Sequence, residues 1–242
     1  MRSYWGARPQ TDMAGEDGAG NVQAMFSRIA HRYDLMNRLM TAGQDARWRR
    51  EVIRRSQLPR SGRMLDIGAG TGDLAREALK QRPNSWPVAA DFTLEMMLAG
   101  KTRQAPSQLD WSAADALCLP FPNEAFEAVV SGFLLRNVTN IDQCLREQLR
   151  VLKAGGYAVA LDTTQPARNF LRPLVDFYLH VIIPNLGRII TGDVEAYKYL
   201  PETTENFLQA EKLAALMEQA GFKEIGFRRL MFGTIAIHWG MK

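Results

Sequence analysis

The sequence predicts a doubly wound α/β fold with a mostly parallel sheet of seven strands. Three observations carry that expectation. A short apolar strand runs through Met64-Leu-Asp-Ile-Gly-Ala-Gly-Thr-Gly-Asp73 into a glycine turn, and a helix opens directly after it. Apolar runs of strand length then alternate with helical patterns as far as Asp162, the signature of βα units joined by right-handed crossovers. Two further apolar runs near the C-terminus, at 222–230 and 234–239, read as a closing pair of strands.

The elements follow in order. Residues 1–20 are rich in Gly, Ala and Asp and lack apolar periodicity, so a disordered tail is expected. Residues 21–62 read as a helical cap. Met25, Phe26, Ile29 and Ala30 share one stripe, and Leu35, Met36, Leu39 and Met40 form another. A basic helix spans roughly Arg47 to Gln57, and Pro59 with Gly62 closes the cap. The strands are expected at 63–67, 87–90, 109–113, 128–132 and 157–162. The helices between them are expected at 73–81, near 93–101 and at 141–152, the last placing Ile141, Cys144, Leu145, Leu149 and Leu152 on one face. Gly155-Gly156 reads as the stop of that helix. Residues 163–208 interrupt the alternation and read as an inserted helical lid. Its apolar stretch, 170–190, carries Arg172, Asp176, Pro184 and Arg188, which argues against a membrane span. A helix at 211–220 ends at Gly221.

Composition narrows the classes. At 242 residues and 46% hydrophobic, the chain can bury the core of one α/β domain with additions. Cys118 and Cys144 give neither a disulfide framework nor a metal spacing, so a reducing compartment is the default and no metal is expected. No apolar leader or membrane-length run is evident, and a cytoplasmic protein is expected. The net charge of +4 is uneven: residues 1–63 carry +6 and the remainder −2. Seven arginines lie between Arg47 and Arg63. Without aromatic interleaving or an RNA-binding module, nucleic acid is not expected; a solvated face or an anionic membrane surface remains.

The glycine turn has the spacing Asp-x-Gly-x-Gly-Thr-Gly, which departs from the dinucleotide fingerprint Gly-x-Gly-x-x-Gly. It resembles motif I of class I S-adenosylmethionine (SAM) methyltransferases. Gly68, Gly70 and Gly72 let the backbone take φ > 0 and approach a ligand closely, and Thr71 sits among them. Asp66 is placed to face a cationic ligand. Asp91, twenty-one residues after Gly70 at a strand end, suits ribose hydroxyls. Asp115 and Ala116 at the next strand end suit an adenine edge, though Asp115 could simply cap a turn.

More of the chain resembles one family, the ubiquinone/menaquinone biosynthesis C-methyltransferases, most nearly the demethylmenaquinone type. The resemblance rests on Phe26-Ser-Arg-Ile-Ala-His-Arg-Tyr-Asp-Leu-Met-Asn37, Leu135-Arg-Asn-Val-Thr139, Arg150-Val-Leu-Lys-Ala-Gly-Gly156, Gly192-Asp-Val-Glu-Ala-Tyr-Lys-Tyr-Leu200 and Gly233-Thr-Ile-Ala-Ile-His-Trp-Gly240. It implies a Rossmann-like class I methyltransferase fold and methyl transfer from SAM to a ring carbon of a prenylated quinol, leaving S-adenosylhomocysteine. It implies catalytic roles for Arg136 and Asn137, cofactor contact at Gly132, and substrate contacts at Tyr33, Asp34, Asp193, Tyr197 and His238. The chain departs from the family at Ala154, where proline is usual, at Asp162-Thr163, where Glu-Phe is common, and at Gly132, where many members have serine. A bilayer-borne substrate implies peripheral contact with the inner face of the plasma membrane. The arginine-dense stretch and an apolar face of Phe170, Leu174, Phe177, Tyr178, Val181 and Ile182 suit such contact. A homodimer is compatible with the sequence. Methylation of another phenol or amine, and a SAM-binding scaffold subunit, are the competing expectations.

Overall fold

A computed structural model describes Arg38, Thr41, residues 43–103 and 109–165, Pro173, Phe177, Val181, Ile182, Asn185 and residues 207–242. The 1–20 tail, the apolar stripes at 25–40, most of the expected lid at 163–208, and Tyr33, Asp34, Asp193 and Tyr197 lie outside the described residues.

The chain runs α1 (Asp45–Arg55), β1 (Arg63–Ile67), α2 (Asp73–Gln81), β2 (Trp86–Asp91), α3 (Leu94–Lys101), β3 (Asp110–Ala113) and β4 (Phe126–Gly132). After a short 3₁₀ turn (Leu135–Asn137) come α4 (Ile141–Val151), β5 (Leu152–Thr163), α5 (Ala210–Ala220), β6 (Lys223–Leu230) and β7 (Ile235–Met241). The seven strands form one sheet in the order β3-β2-β1-β4-β5-β7-β6. β7 runs antiparallel to both of its neighbours, and the pairs from β3 to β5 are parallel.

The central strands are buried on both faces, which is why they read as continuous apolar runs rather than alternations. One face packs Met64, Ala128, Val130, Val159, Leu161 and Ile237 under Trp48 and Val52 of α1 and Leu74 and Ala78 of α2. The other packs Leu65, Ile67, Val129, Ala158 and Ala160 under Leu145 of α4 and Leu213 and Met217 of α5. Local signals fix the helix ends. The Asn140 side chain accepts the Gln143 N–H at 3.0 Å and starts α4. Gly221, at φ 108°, ends α5.

One expectation needs correcting. Gly155-Gly156 does not stop α4, which ends at Val151; both glycines lie inside β5. The β4–β5 register shifts between the Phe126↔Leu152 and Ala128↔Tyr157 pairs, so the strand bulges there. Gly155, at φ 76°, carries the bulge, and its N–H donates to the Lys242 carbonyl at 3.0 Å.

Order in the sheet reverses between β1 and β4. The chain builds outward from β1 through β2 to β3, then returns to start β4 on the other side. Ligands in such folds bind in the crevice beyond the carboxyl ends of the strands at that switch point.

Candidate active site

A cavity of about 270 Å³ lies at the switch point. Its wall includes Asp66 in β1 with Gly68, Gly70 and Thr71 just beyond it, Asp91 at the end of β2, Asp115 and Ala116 after β3, and Gly132 at the end of β4 with Asn137 beyond it. The structure therefore gathers eight of the nine expected cofactor residues, and Asn137, around one space. Gly72 is not on the wall. It caps α2 at φ 82°, where a Cβ would come within 2.8 Å of the Trp111 ring.

The strand-end carboxylates shape the loops as well as the wall. Asp91 Oδ2 accepts the Gly70 N–H at 2.7 Å, and Oδ1 accepts the Thr93 N–H at 2.6 Å. It thus fixes the glycine turn to the start of α3. Burial raises its pKa against those two donors. Asp115 Oδ1 accepts the Leu117 N–H at 2.8 Å, so it caps its turn while lining the cavity. Asp66 is 1% exposed. Its Oδ2 accepts the Ala75 N–H at 3.0 Å, and its buried Oδ1 has no protein partner. Desolvation, reinforced by Asp91 and Asp73 and opposed by the Ala75 N–H and Arg49, raises its pKa to about 8. A buried carboxyl with an unpaired oxygen is a good seat for a cation.

The fourth wall is built from the segment after β4. Phe133 holds φ 59°, a left-handed conformation that costs a bulky residue on the order of 1–3 kcal/mol. Two hydrogen bonds hold it: its N–H donates to the Leu161 carbonyl at 2.7 Å, and its carbonyl accepts from Asn137 Nδ2 at 2.9 Å. Phe133, Leu134, Val138 and Leu161 make this side of the cavity apolar.

Arg136 is absent from the wall. Its side chain is 5% exposed and lies behind the turn, with Nη1 3.8 Å from Asp162 Oδ1 and the guanidinium carbon 4.9 Å from the centre of the Phe133 ring. The backbone N–H of Arg136 donates to the same carboxylate at 3.3 Å. Nor does the structure bring His238 to the cavity. It is buried on β7, with Nε2 2.9 Å from the Ala210 carbonyl and its ring stacked on Phe227. Burial lowers its pKa to about 4 and keeps it neutral.

Sequence reasoning missed Arg49, Phe92, Met96, Phe133 and Leu134 on the wall. Phe92 follows Asp91 directly and is 56% exposed, an open ring face at the rim. Its adjacency to the strand-end acid was a usable signal. Arg49 belongs to the arginine-dense stretch, most of which is exposed; Arg49 and Arg55 are its half-buried members. Arg49 pairs with Asp45 and Asp73, Arg54 and Arg55 pair with Glu51, and Arg55 also stacks on Trp239. Among the described residues no group could hold a metal ion, and no helix is long and apolar enough to cross a membrane.

The sheet order, the switch-point cavity and its strand-end acids define a class I SAM-dependent methyltransferase, and solved structures match that fold. The [4+2]-cyclase SpnF aligns at a TM-score of 0.67 and 17% identity over 93% of this chain and 96% of its own. Human N-acetylserotonin methyltransferase in complex with SAM aligns at 0.61 and 16% over 91% of this chain and 58% of its own. Residues 13–242 match the model of the ubiE/COQ5 methyltransferase family, and the chain belongs to that family. A ubiquinone/menaquinone biosynthesis C-methyltransferase of Desulfotalea psychrophila is 47% identical over 221 residues, 91% of this chain and 90% of that one. A demethylmenaquinone methyltransferase of Thermus thermophilus is 40% identical over 218 residues, 89% of this chain and 99% of that one.

Proposed function

We propose that the chain methylates a ring carbon of a prenylated quinol, converting demethylmenaquinol to menaquinol with SAM as donor. The observation that carries this reading is a single cavity with two chemistries. One side offers the carboxylates of Asp66, Asp91 and Asp115; the other is the apolar wall of Phe133, Leu134, Val138 and Leu161. The first suits a ligand bearing positive charge and hydroxyls, and the second suits a greasy ring. The names of the relatives support the same substrate class.

SAM, when bound, supplies a sulfonium methyl that is already electrophilic. The chain's task is to align the acceptor, exclude water and favour the ionised quinol. The quinol hydroxyl gives up a proton, the ring carbon forms the new C–C bond as the S–CH₃ bond breaks, and the proton on that carbon is then lost. Asn137, on the wall, orients the hydroxyl. Arg136 is assigned as a positioning residue: it sits behind Phe133 and ties the turn to β5. Arginine stays protonated, so the proton passes to water rather than to its guanidinium. The test is mass spectrometry of the reaction with reduced and oxidised acceptor. Methylation of the quinol alone is expected, because the quinone ring is electron-poor.

Asp66 gives the donor site a pH dependence. A buried carboxyl with a pKa near 8 is mostly protonated at neutral pH, and a bound cation favours its ionised form. SAM binding should therefore release a proton near pH 7. Affinity should rise with pH, by at most about tenfold per unit, and level off above about pH 8. Stability of the ligand-free protein has the opposite slope. The folded carboxyl binds more protons than the unfolded one between about pH 4 and pH 8, so this contribution is lost as pH rises through 8. Calorimetry in buffers of different ionisation enthalpy reads the proton directly. A pH-independent affinity with no proton release would remove Asp66 from the cation site.

The substrate's tail supports a peripheral contact with the inner face of an anionic membrane. Phe177, Val181 and Ile182, spaced four and five apart as on one helix face, are 54%, 40% and 37% exposed. Arg47, Arg50 and Arg60 are exposed and make no ion pair among the described residues. Each such cation contributes about 1 kcal/mol near an anionic surface. Salt-sensitive flotation with anionic vesicles is expected, weakened by changing those three arginines to Gln. No flotation at low salt would contradict it.

A further inference from the structure

We propose that Arg49 receives the carboxylate of the methyl donor's amino-acid end, and that helix α1 thereby becomes part of the donor site. The inference rests on SAM being the donor. Four carboxylates line the cavity, at Asp66, Asp73, Asp91 and Asp115, and Arg49 is the one cation on its described wall. A donor with a sulfonium, an ammonium and a carboxylate fits three centres of opposite preference. The two cations are at home among the acids. A carboxylate placed there would be repelled and desolvated at once, so it belongs where the cation is.

The geometry suits the role. The Arg49 side chain is 22% exposed, held but reachable. Both of its ion pairs, to Asp45 Oδ2 at 2.9 Å and Asp73 Oδ2 at 3.0 Å, are made by the single nitrogen Nη2. A planar guanidinium binds a carboxylate through two parallel N–H donors, and one whose closest approach to both acids is through Nη2 can still present its other N–H groups to a ligand. Asp73 is not left uncompensated when Arg49 turns to a ligand, because Arg103 Nη1 lies 3.4 Å from its other oxygen. The position of Arg49 on the helix is fixed independently. Trp48 and Val52, on the adjacent flank of α1, are buried against the sheet.

The experiment measures binding of three ligands by calorimetry to the full chain: SAM, decarboxylated SAM and methylthioadenosine. The wild type should prefer SAM to its decarboxylated form by about ten- to a hundredfold. In Arg49→Gln the affinity for SAM should fall by that factor. The decarboxylated ligand should bind as well as before or more tightly, since a nearby cation has gone, and methylthioadenosine should be unmoved. Arg49→Lys keeps the charge and the strut to Asp73 but loses the fork, and should give an intermediate preference. Equal discrimination in wild type and both variants overturns the proposal. So does a uniform loss across all three ligands, which would make Arg49 a strut between α1 and α2. If the wild type binds methylthioadenosine and SAM equally, the carboxylate has no seat, while SAM as donor survives. If it binds none of the three, the donor reading itself fails.

Discussion

Asp91→Ala is expected to weaken SAM binding by at least two decades while leaving the protein folded. Two losses combine. The ribose hydroxyls lose a charge-assisted acceptor worth roughly 1.5–3 kcal/mol. The N–H groups of Gly70 and Thr93, which Asp91 accepts at 2.7 and 2.6 Å, lose their partner, and the glycine turn loses its tie to α3. Asp91→Asn keeps one acceptor oxygen and should retain part of the affinity, so the pair of variants separates loop fixation from ligand contact. Calorimetry with SAM, and with a nicotinamide dinucleotide as control, measures both. Unchanged SAM affinity in the alanine variant would remove the residue from the site. Tight dinucleotide binding by the wild type would mean the wrong ligand.

Asp162→Ala should be the most destabilising single change near the site. The carboxylate is fully buried and serves three groups: the Arg136 guanidinium at 3.8 Å, the Arg136 N–H at 3.3 Å and the Thr163 N–H at 2.8 Å. Desolvation raises its pKa, and the nearby Arg136 pulls it back. Removing it leaves a buried guanidinium without its counter-charge, a change that costs about 3–5 kcal/mol in comparable cases. For a chain of this size that lowers Tm by on the order of 10 °C. Asp162→Asn should cost less, because its amide oxygen still accepts one of the two N–H groups that the two carboxylate oxygens take separately. Pairing Asp162→Ala with Arg136→Leu should recover much of the loss, since no buried charge then remains. Thermal melts of the wild type, the three single variants (Asp162→Ala, Asp162→Asn, Arg136→Leu) and the double variant test this. A double variant as unstable as the sum of the singles would show that the two residues do not act together.

These residues also mark where the sequence was legible. Strand and helix positions between 63 and 163 could be read because apolar runs of strand length stop at or just before Gly68, Asp91 and Gly132, and the helices at 73–81 and 141–151 each bury one apolar stripe. The same rule misled at Gly155-Gly156, since paired glycines serve a helix stop and a strand bulge equally well. The acids at 66, 91 and 115 were legible because strand ends converge on the switch point in any sheet of this type. Arg49 was not, because its place on the wall depends on how α1 lies across α2, a tertiary fact that local pattern does not encode. Arg136 was read as facing the substrate. Its partner Asp162 lies 26 residues away on the neighbouring strand, and that pairing turns the guanidinium behind the wall. His238 sits in a family-like segment, yet its strand register places it beneath α5.

Methyl passes in this cavity from SAM to carbon, not to oxygen or nitrogen. The most direct test is incubation of the purified chain with SAM carrying an isotopically labelled methyl group and a demethylated prenyl quinol kept reduced by dithionite. Fragmentation mass spectrometry of the extracted product then locates the label. The expected result is a product heavier by one labelled methylene, with the label on the quinone ring, an equal amount of S-adenosylhomocysteine, and no product from the oxidised acceptor. Label on a hydroxyl oxygen, or equal rates with quinol and quinone, would contradict it.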